Sequence, residues 1–382
     1  MTKNAIAMSA KSISQMKFAH WVPNVSGGLV VSKIPQRTDW GLNYNIKLVK
    51  IAEEAGFDYA LTQIRFMGSY GAEYQHDSLM FSAALLASTD RLGIITAVLP
   101  GMFHPAVIAK HGATADQIFN GRWSIHIASG WFRKEYDALG VPWLEHDERY
   151  VRSQEFVEIL RGSWTTDDFC YDGKYWQING YTLKPKPLEL PDRPMPEVFQ
   201  GGNSLAAQRM AAAVSDWYFM NGNSLQNQKE QIDNISTLAF AKGRRLRFGV
   251  NAFVIARETA AEAQAEYERI ISAADVVAVR GFKKAVKEAG QSSPEGKGMW
   301  SNSSDRDLVQ YNDGFRTNLI GTPEQIAQRI HDLQRIGVDL ILCAFLHFHE
   351  ETRFFGERVI PLVRELERDH PVIRRAVQVA RG

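Results

Sequence analysis

From Arg122 to Ile127 large apolar side chains alternate with small or polar ones. Trp123, Ile125 and Ile127 stand against Ser124, His126 and, one step beyond, Ala128. A two-residue period describes a strand whose faces meet different surroundings. In a closed parallel sheet the large apolar set turns to the surrounding helices, and Ser124, His126 and Ala128 turn into the lumen. Apolar runs at 17–23, 57–61, 92–99, 197–200, 216–220, 247–255 and 339–346 predict seven further strands. Helical segments are predicted at 43–55, 78–88, 105–119, 151–161, from 204, at 225–242, 259–274 and 322–336, with a closing helix over about 354–367. Gly56 caps the first, Pro105 opens the third, and Thr322-Pro323-Glu324 opens the last but one. Strands alternating with helices in this way predict the α/β class and a TIM (β/α)8 barrel with insertions.

Two stretches break the rhythm. Phe169 to Ile178 reads as a hairpin around Asp172-Gly173, followed by the proline-rich connector KPKPLELPDRPMPE. Residues 281–318 turn polar and glycine-rich, which predicts a long loop acting as a lid. Neither has a core of its own, so one barrel domain over 17–370 is expected, with insertions at about 163–196 and 281–318. Residues 1–16 and 371–382 are expected as tails. The first has Lys3, Lys11 and no acid, as a transit peptide would, but it lacks arginine and an apolar face and reads as a disordered end.

Composition narrows the function by exclusion. Lys plus Arg is 44 and Asp plus Glu 43, a net charge of +1, which leaves no footprint for nucleic acid or an anionic membrane. No apolar run approaches the about 20 residues of a membrane span. Cys170 and Cys343 build neither a disulfide framework nor a CxxC metal site, and a cytoplasmic protein is expected. GxGxxG after a strand, GxxxxGK[ST], HExxH and GxSxG are all missing from the sequence. His347-Phe348-His349 with Glu350 and Glu351 is too weakly spaced to predict a metal site, so none is expected.

What remains lies at the carboxyl ends of the strands. After Ile127 comes the turn Ser129-Gly130-Trp131 and then a polar stretch from Arg133 to Tyr150, read as a loop preceding a helix at Val151. Gln200-Gly-Gly-Asn-Ser204 ends a strand and opens a helix, whose free N–H groups suit a phosphate as well as they suit an ordinary turn. Arg149 and Tyr150 favour the phosphate, since a guanidinium grips its oxygens in pairs. His20 and His347, near the ends of the first and last strands, are positional candidates for catalysis, with a core histidine as the alternative for each.

HIASGWFRKEY, PWLEHDERYVRSQEF, VFQGGNS, GVNAFVIARET and FLHFHEE, with similar stretches over about residues 17–367, resemble the bacterial luciferase-like, FMN-dependent monooxygenases. More narrowly they are similar to the members acting on dimethyl sulfone. The resemblance implies a barrel that takes reduced FMN from a separate NAD(P)H-dependent reductase. Substrate is then oxidised with O2, and dimethyl sulfone would be cleaved at a C–S bond to methanesulfinate and formaldehyde. A homo-oligomer, dimer or tetramer, is implied as well. Carried over from pyrimidine-oxidising relatives, the FMN contacts fall on Gln63, Ile64, His126, Glu135, Arg149, Tyr150 and Ser204. His126 stands where those relatives have Asn, and an imidazole cannot do both jobs of an amide in one tautomer. Alkanesulfonate relatives carry Arg-x-His where this chain has Asn251-Ala252-Phe253. Trp21, Asn251 and Phe253 are therefore expected to line a pocket for a neutral substrate. The alternatives are a pyrimidine or alkanesulfonate substrate, or a flavin-binding protein without turnover.

Overall fold

In a computed structural model, which describes residues 12–13, 15–290, 303–369 and 373–374, eight parallel strands close a barrel. They are β1 (Lys17–Val22), β2 (Tyr59–Thr62), β3 (Gly93–Val98), β4 (Trp123–Ile127), β5 (Val198–Gly201), β6 (Trp217–Met220), β7 (Arg247–Phe253) and β8 (Leu340–Ala344). Each pairs with its chain neighbours, and β8 returns to β1 with Leu342 opposite Ala19.

The period-two pattern separates two cores. Trp123, Ile125 and Ile127 join the layer between barrel and helices, together with Phe18, Val198, Val250 and Ile341. The opposite faces fill the lumen with Ala19, Leu61, Ile95, Phe199, Trp217, Phe219, Leu340 and Leu342. Phe199 stacks on Trp217 at 5.3 Å and on Phe219 at 5.5 Å between ring centroids. Truncating one of these rings to alanine would cost about 3–5 kcal/mol. At the amino-terminal end, Glu197 accepts from Tyr59 Oη at 2.9 Å and Trp217 Nε1 at 3.1 Å, plugging the floor with a satisfied polar network. The floor is thus closed, and open space lies at the carboxyl ends.

Two segments differ from the sequence reading. The helix expected from Val151 spans His146–Thr165, so Arg149 and Tyr150 lie in its first turns and not in a loop. Asp147 and Glu148 there suit the positive end of the helix dipole, so polarity marked a helix start. A short helix, Arg133–Ala138, occupies the rest of the stretch. Likewise Val276–Gly290 is a helix running through Gly281, where the composition predicts the start of a loop. A Cβ at Gly281 would stand 2.7 Å from the Tyr70 ring, so this glycine permits close packing. The expected lid therefore divides. Its first ten residues are helical, Tyr311–Thr317 forms a 3-10 segment, and 291–302 lie outside the described residues. Most of the two terminal tails lies outside them too, while Ser12–Ile13 pairs antiparallel with Ile373–Arg374.

Candidate functional site

A cavity of about 240 Å³ opens at the carboxyl ends of the strands. It draws together Trp21 from β1, Gln63 and Ile64 after β2, His126 from β4, Arg149 and Tyr150 from the His146–Thr165 helix, Ser204 after β5 and Asn251 from β7. Four other candidates, Glu135, Phe253, His20 and His347, are placed elsewhere.

The side formed after β2, β4 and β5 is held mainly through backbone. Gln63 is fixed by its N–H to Asn24 Oδ1 at 3.0 Å and its Nε2 to Val22 O at 3.1 Å. Ile64 packs with Ala97 and Leu99. Gly130 takes φ +98°, and its carbonyl accepts from Arg149 Nη1. Arg149 Nη2 reaches Ala289 O at 3.2 Å, its plane covers Trp143 at 4.2 Å, and its Nε is buried without a partner among the described residues. Burial lowers its pKa, although a guanidinium stays charged near neutrality. Ser204 Oγ caps the helix Leu205–Val214 by accepting the Ala207 N–H at 3.2 Å, which leaves its own proton to donate. Burial pushes the His126 pKa down to about 4, so a neutral imidazole faces the cavity at ordinary pH.

The β1 and β7 side is closed by hydrogen bonds. Trp21 Nε1 donates to Asn251 Oδ1 at 2.6 Å, and Asn251 Nδ2 donates to Gln310 Oε1 at 3.2 Å, Tyr311 O at 3.4 Å and Asn312 O at 3.2 Å. These bonds seat the 310–317 segment on the strand, where Asn312 and Asp313 hold φ of +66° and +55°. Left-handed backbone at two such residues costs about 1–2 kcal/mol each, which the Asn251 amide helps to offset. Phe253 is fully buried under this segment, 5.0 Å from the Phe315 ring, and is not in the cavity wall. The pocket expected from a shared strand face thus contains Asn251 without Phe253, because Tyr311–Thr317 covers the strand end.

His20 points to the other side of the barrel wall, against Phe57 at 5.7 Å and Phe348 at 6.4 Å. Its Nδ1–H donates to Trp21 O at 2.9 Å, and burial lowers its pKa to about 4. It is a core histidine. His347 Nδ1 accepts the Arg37 N–H at 3.1 Å at the start of the Phe348–Phe354 helix, also away from the cavity. Among the described residues no His, Cys, Asp or Glu cluster is arranged to hold a metal. Glu135 is buried behind the cavity and accepts the Phe66 N–H, so it fixes the turn after β2 from outside.

Arg65 went unremarked in the sequence. It lines the cavity, follows the Gln63-Ile64 pair and stacks on Trp131 at 4.6 Å. No periodic signal marks a single cation in a turn. Phe282, Val286 and Ala289 were missed with their helix, though Val279, Phe282 and Val286 are spaced as a buried helical stripe.

Comparison with known proteins agrees with this geometry. A family model described as luciferase-like monooxygenase matches residues 16–340. The FMNH2-dependent dimethylsulfone monooxygenase of Pseudomonas putida is 58% identical over 365 residues, covering 96% of this chain and 99% of that protein. Its counterpart from Pseudomonas fluorescens (strain Pf0-1) is 59% identical over 352 residues, covering 92% and 95%. The crystal structure of a riboflavin lyase superposes with TM-score 0.79 at 19% identity, covering 96% of this chain and 94% of that one, a likeness of fold. Among the described residues no helix is long and apolar enough to cross a membrane. The chain, a closed eight-stranded barrel matched over most of its length, belongs to the luciferase-like monooxygenases.

Proposed function

We propose that this chain is the monooxygenase of a two-component, FMNH2-dependent system that converts dimethyl sulfone to methanesulfinate and formaldehyde. The observation that carries the proposal is near-complete coverage at 58–59% identity by two proteins named for that activity. A separate NAD(P)H-dependent reductase supplies the reduced flavin.

The cavity fits a flat ring with an anionic tail. Gly130 and Gly201 line it, Gly130 packed so closely that a Cβ there would stand 2.5 Å from Tyr136 Oη. Ser129 Oγ and Arg149 Nε are buried without partners among the described residues, and both can bond a ligand. Arg149, Tyr150 and Ser204 hold the phosphate, while Gln63, Ile64 and His126 face the ring. Glu135 serves the same site indirectly by fixing the Ile64–Met67 turn. Reduced FMN, when bound, supplies the electrons that activate O2. The chain's own task is to orient the sulfone methyl group and keep water out, with Trp21 and Trp131 contributing apolar surface.

A sulfonate substrate is the second reading, favoured by one observation. The cations missing from β7 have counterparts elsewhere, since Arg65 and Arg149 both line the cavity. Supplying the purified protein with FMNH2, O2 and either dimethyl sulfone or methanesulfonate decides the matter. Formaldehyde from the sulfone is the expected result, and its absence there would remove the first reading.

A further inference from the structure

The Arg65 guanidinium has an environment unlike that of any other cation at the site. Its single hydrogen bond among the described residues runs from Nη1 to its neighbour Ile64 O at 2.7 Å. Trp131 holds its plane from one side at 4.6 Å. No carboxylate among the described residues lies within ion-pairing distance. Glu135, the acid that most supports its charge, has turned an oxygen to the Phe66 N–H. Burial lowers the Arg65 pKa, with Glu135 acting in the opposite direction, and the group remains a cation. An unpaired charge in a cavity wall is costly unless something anionic meets it during the working cycle. Arg149, by contrast, already spends two nitrogens on the Gly130 and Ala289 carbonyls.

We infer that Arg65 is a catalytic residue of the C–S cleavage, receiving the sulfinate oxygens as negative charge develops on the leaving group. The inference rests on the sulfone reading above. In the overall reaction (CH3)2SO2, O2 and FMNH2 give CH3SO2H, HCHO, H2O and FMN, which balances. One oxygen atom enters a methyl C–H bond and the other leaves as water. In the cleavage the new hydroxyl passes its proton to solvent and its C–O bond becomes the formaldehyde carbonyl. The C–S electron pair departs on sulfur as methanesulfinate.

A neutral sulfone gains little from a guanidinium, whereas a sulfinate gains two charge-assisted hydrogen bonds from the planar fork. The contact therefore strengthens along the reaction, the condition for lowering a barrier. The same fork would favour release of formaldehyde before methanesulfinate.

Calorimetric titration of methanesulfinate and of dimethyl sulfone into FMN-loaded wild type and Arg65→Met protein tests this without turnover. Arg65→Gln takes its place if Arg65→Met does not fold. The expected result is a loss of sulfinate affinity of about tenfold or more, with sulfone and FMN affinities within about threefold of wild type. Unchanged sulfinate affinity overturns the inference. So does a parallel loss of FMN affinity, which would assign Arg65 to the cofactor. A formaldehyde assay of wild type runs alongside. If no formaldehyde forms, the sulfone reading fails and the inference falls with it. If formaldehyde forms while the variant binds sulfinate normally, only the role of Arg65 fails.

Discussion

The two walls of the cavity are built on opposite principles. On the β1 and β7 side every polar atom of the Asn251 amide is spent, on the Trp21 indole and on the 310–312 segment. On the β2 and β4 side Arg65 has one intramolecular hydrogen bond, and Arg149 keeps an unpartnered Nε among the described residues. A saturated wall is architecture, since its groups have nothing left to offer a ligand. An unsaturated wall, already organised by Trp131 and Trp143 stacking, is where binding energy is still to be made. Side-chain type alone misassigns the two, because the conspicuous amide on β7 is committed and the unremarked arginine after β2 is not.

Breaking the saturated wall should give the largest effect. Asn251→Leu leaves the Trp21 N–H without its acceptor and deprives the carbonyls of the 310–317 segment, the strap over the end of β7, of their donor, a cost of about 3–4 kcal/mol. Thermal denaturation should show a Tm lowered by several degrees. Wild-type stability in that variant would mean the strap is held by its apolar contacts alone.

The same wall can be probed from behind through His20. Its folded pKa of about 4 lies below the ordinary value of 6.5, so the unfolded chain takes up a proton first. Its contribution is therefore complete above pH 6.5 and is lost as pH falls toward 4. By linkage the loss is roughly 3 kcal/mol. Denaturant titrations of wild type and His20→Gln across that range should show their stability difference shrinking as pH falls. A difference independent of pH would show that His20 is not held neutral.

On the unsaturated wall, Arg149→Ala should cost FMN binding about 2 kcal/mol, a loss of tenfold or more. Global stability should change less than in Asn251→Leu, and fluorescence titration of FMN measures the binding directly. Equal FMN affinity in the two proteins would take Arg149 out of the phosphate site.

How much of this the chain discloses depends on what sets each feature. The alternation from Trp123 to Ala128 is imposed by the different surroundings of the two faces of a strand, helices on one and lumen on the other, so both layers are legible in the sequence. Ser204 and the two glycines before it were readable because a helix start needs a cap. The 281–318 stretch hides its helix because its opening residues carry lysines and a glycine on a helix whose buried stripe is only three side chains, Val279, Phe282 and Val286. The strap on Phe253 was invisible for another reason. Its seating depends on contacts between residues about 60 positions apart, and no local period encodes them. His20 and Phe253 were drawn toward the site by position along a strand, and their partners in space decided otherwise.

On the proposed reading the substrate is a neutral sulfone, and Arg65 meets negative charge from it only as the C–S bond breaks. Turnover numbers (kcat) for dimethyl sulfone and methanesulfonate at saturating substrate, with the same reductase and the same FMNH2 supply, separate the two cases. A sulfonate carries its charge from the start, so a cation such as Arg65 strengthens its ground-state binding as much as its transition state. A sulfone preference in kcat of at least about tenfold, roughly 1.4 kcal/mol in the barrier, is the expected result. Equal values, or a preference for methanesulfonate, would contradict it.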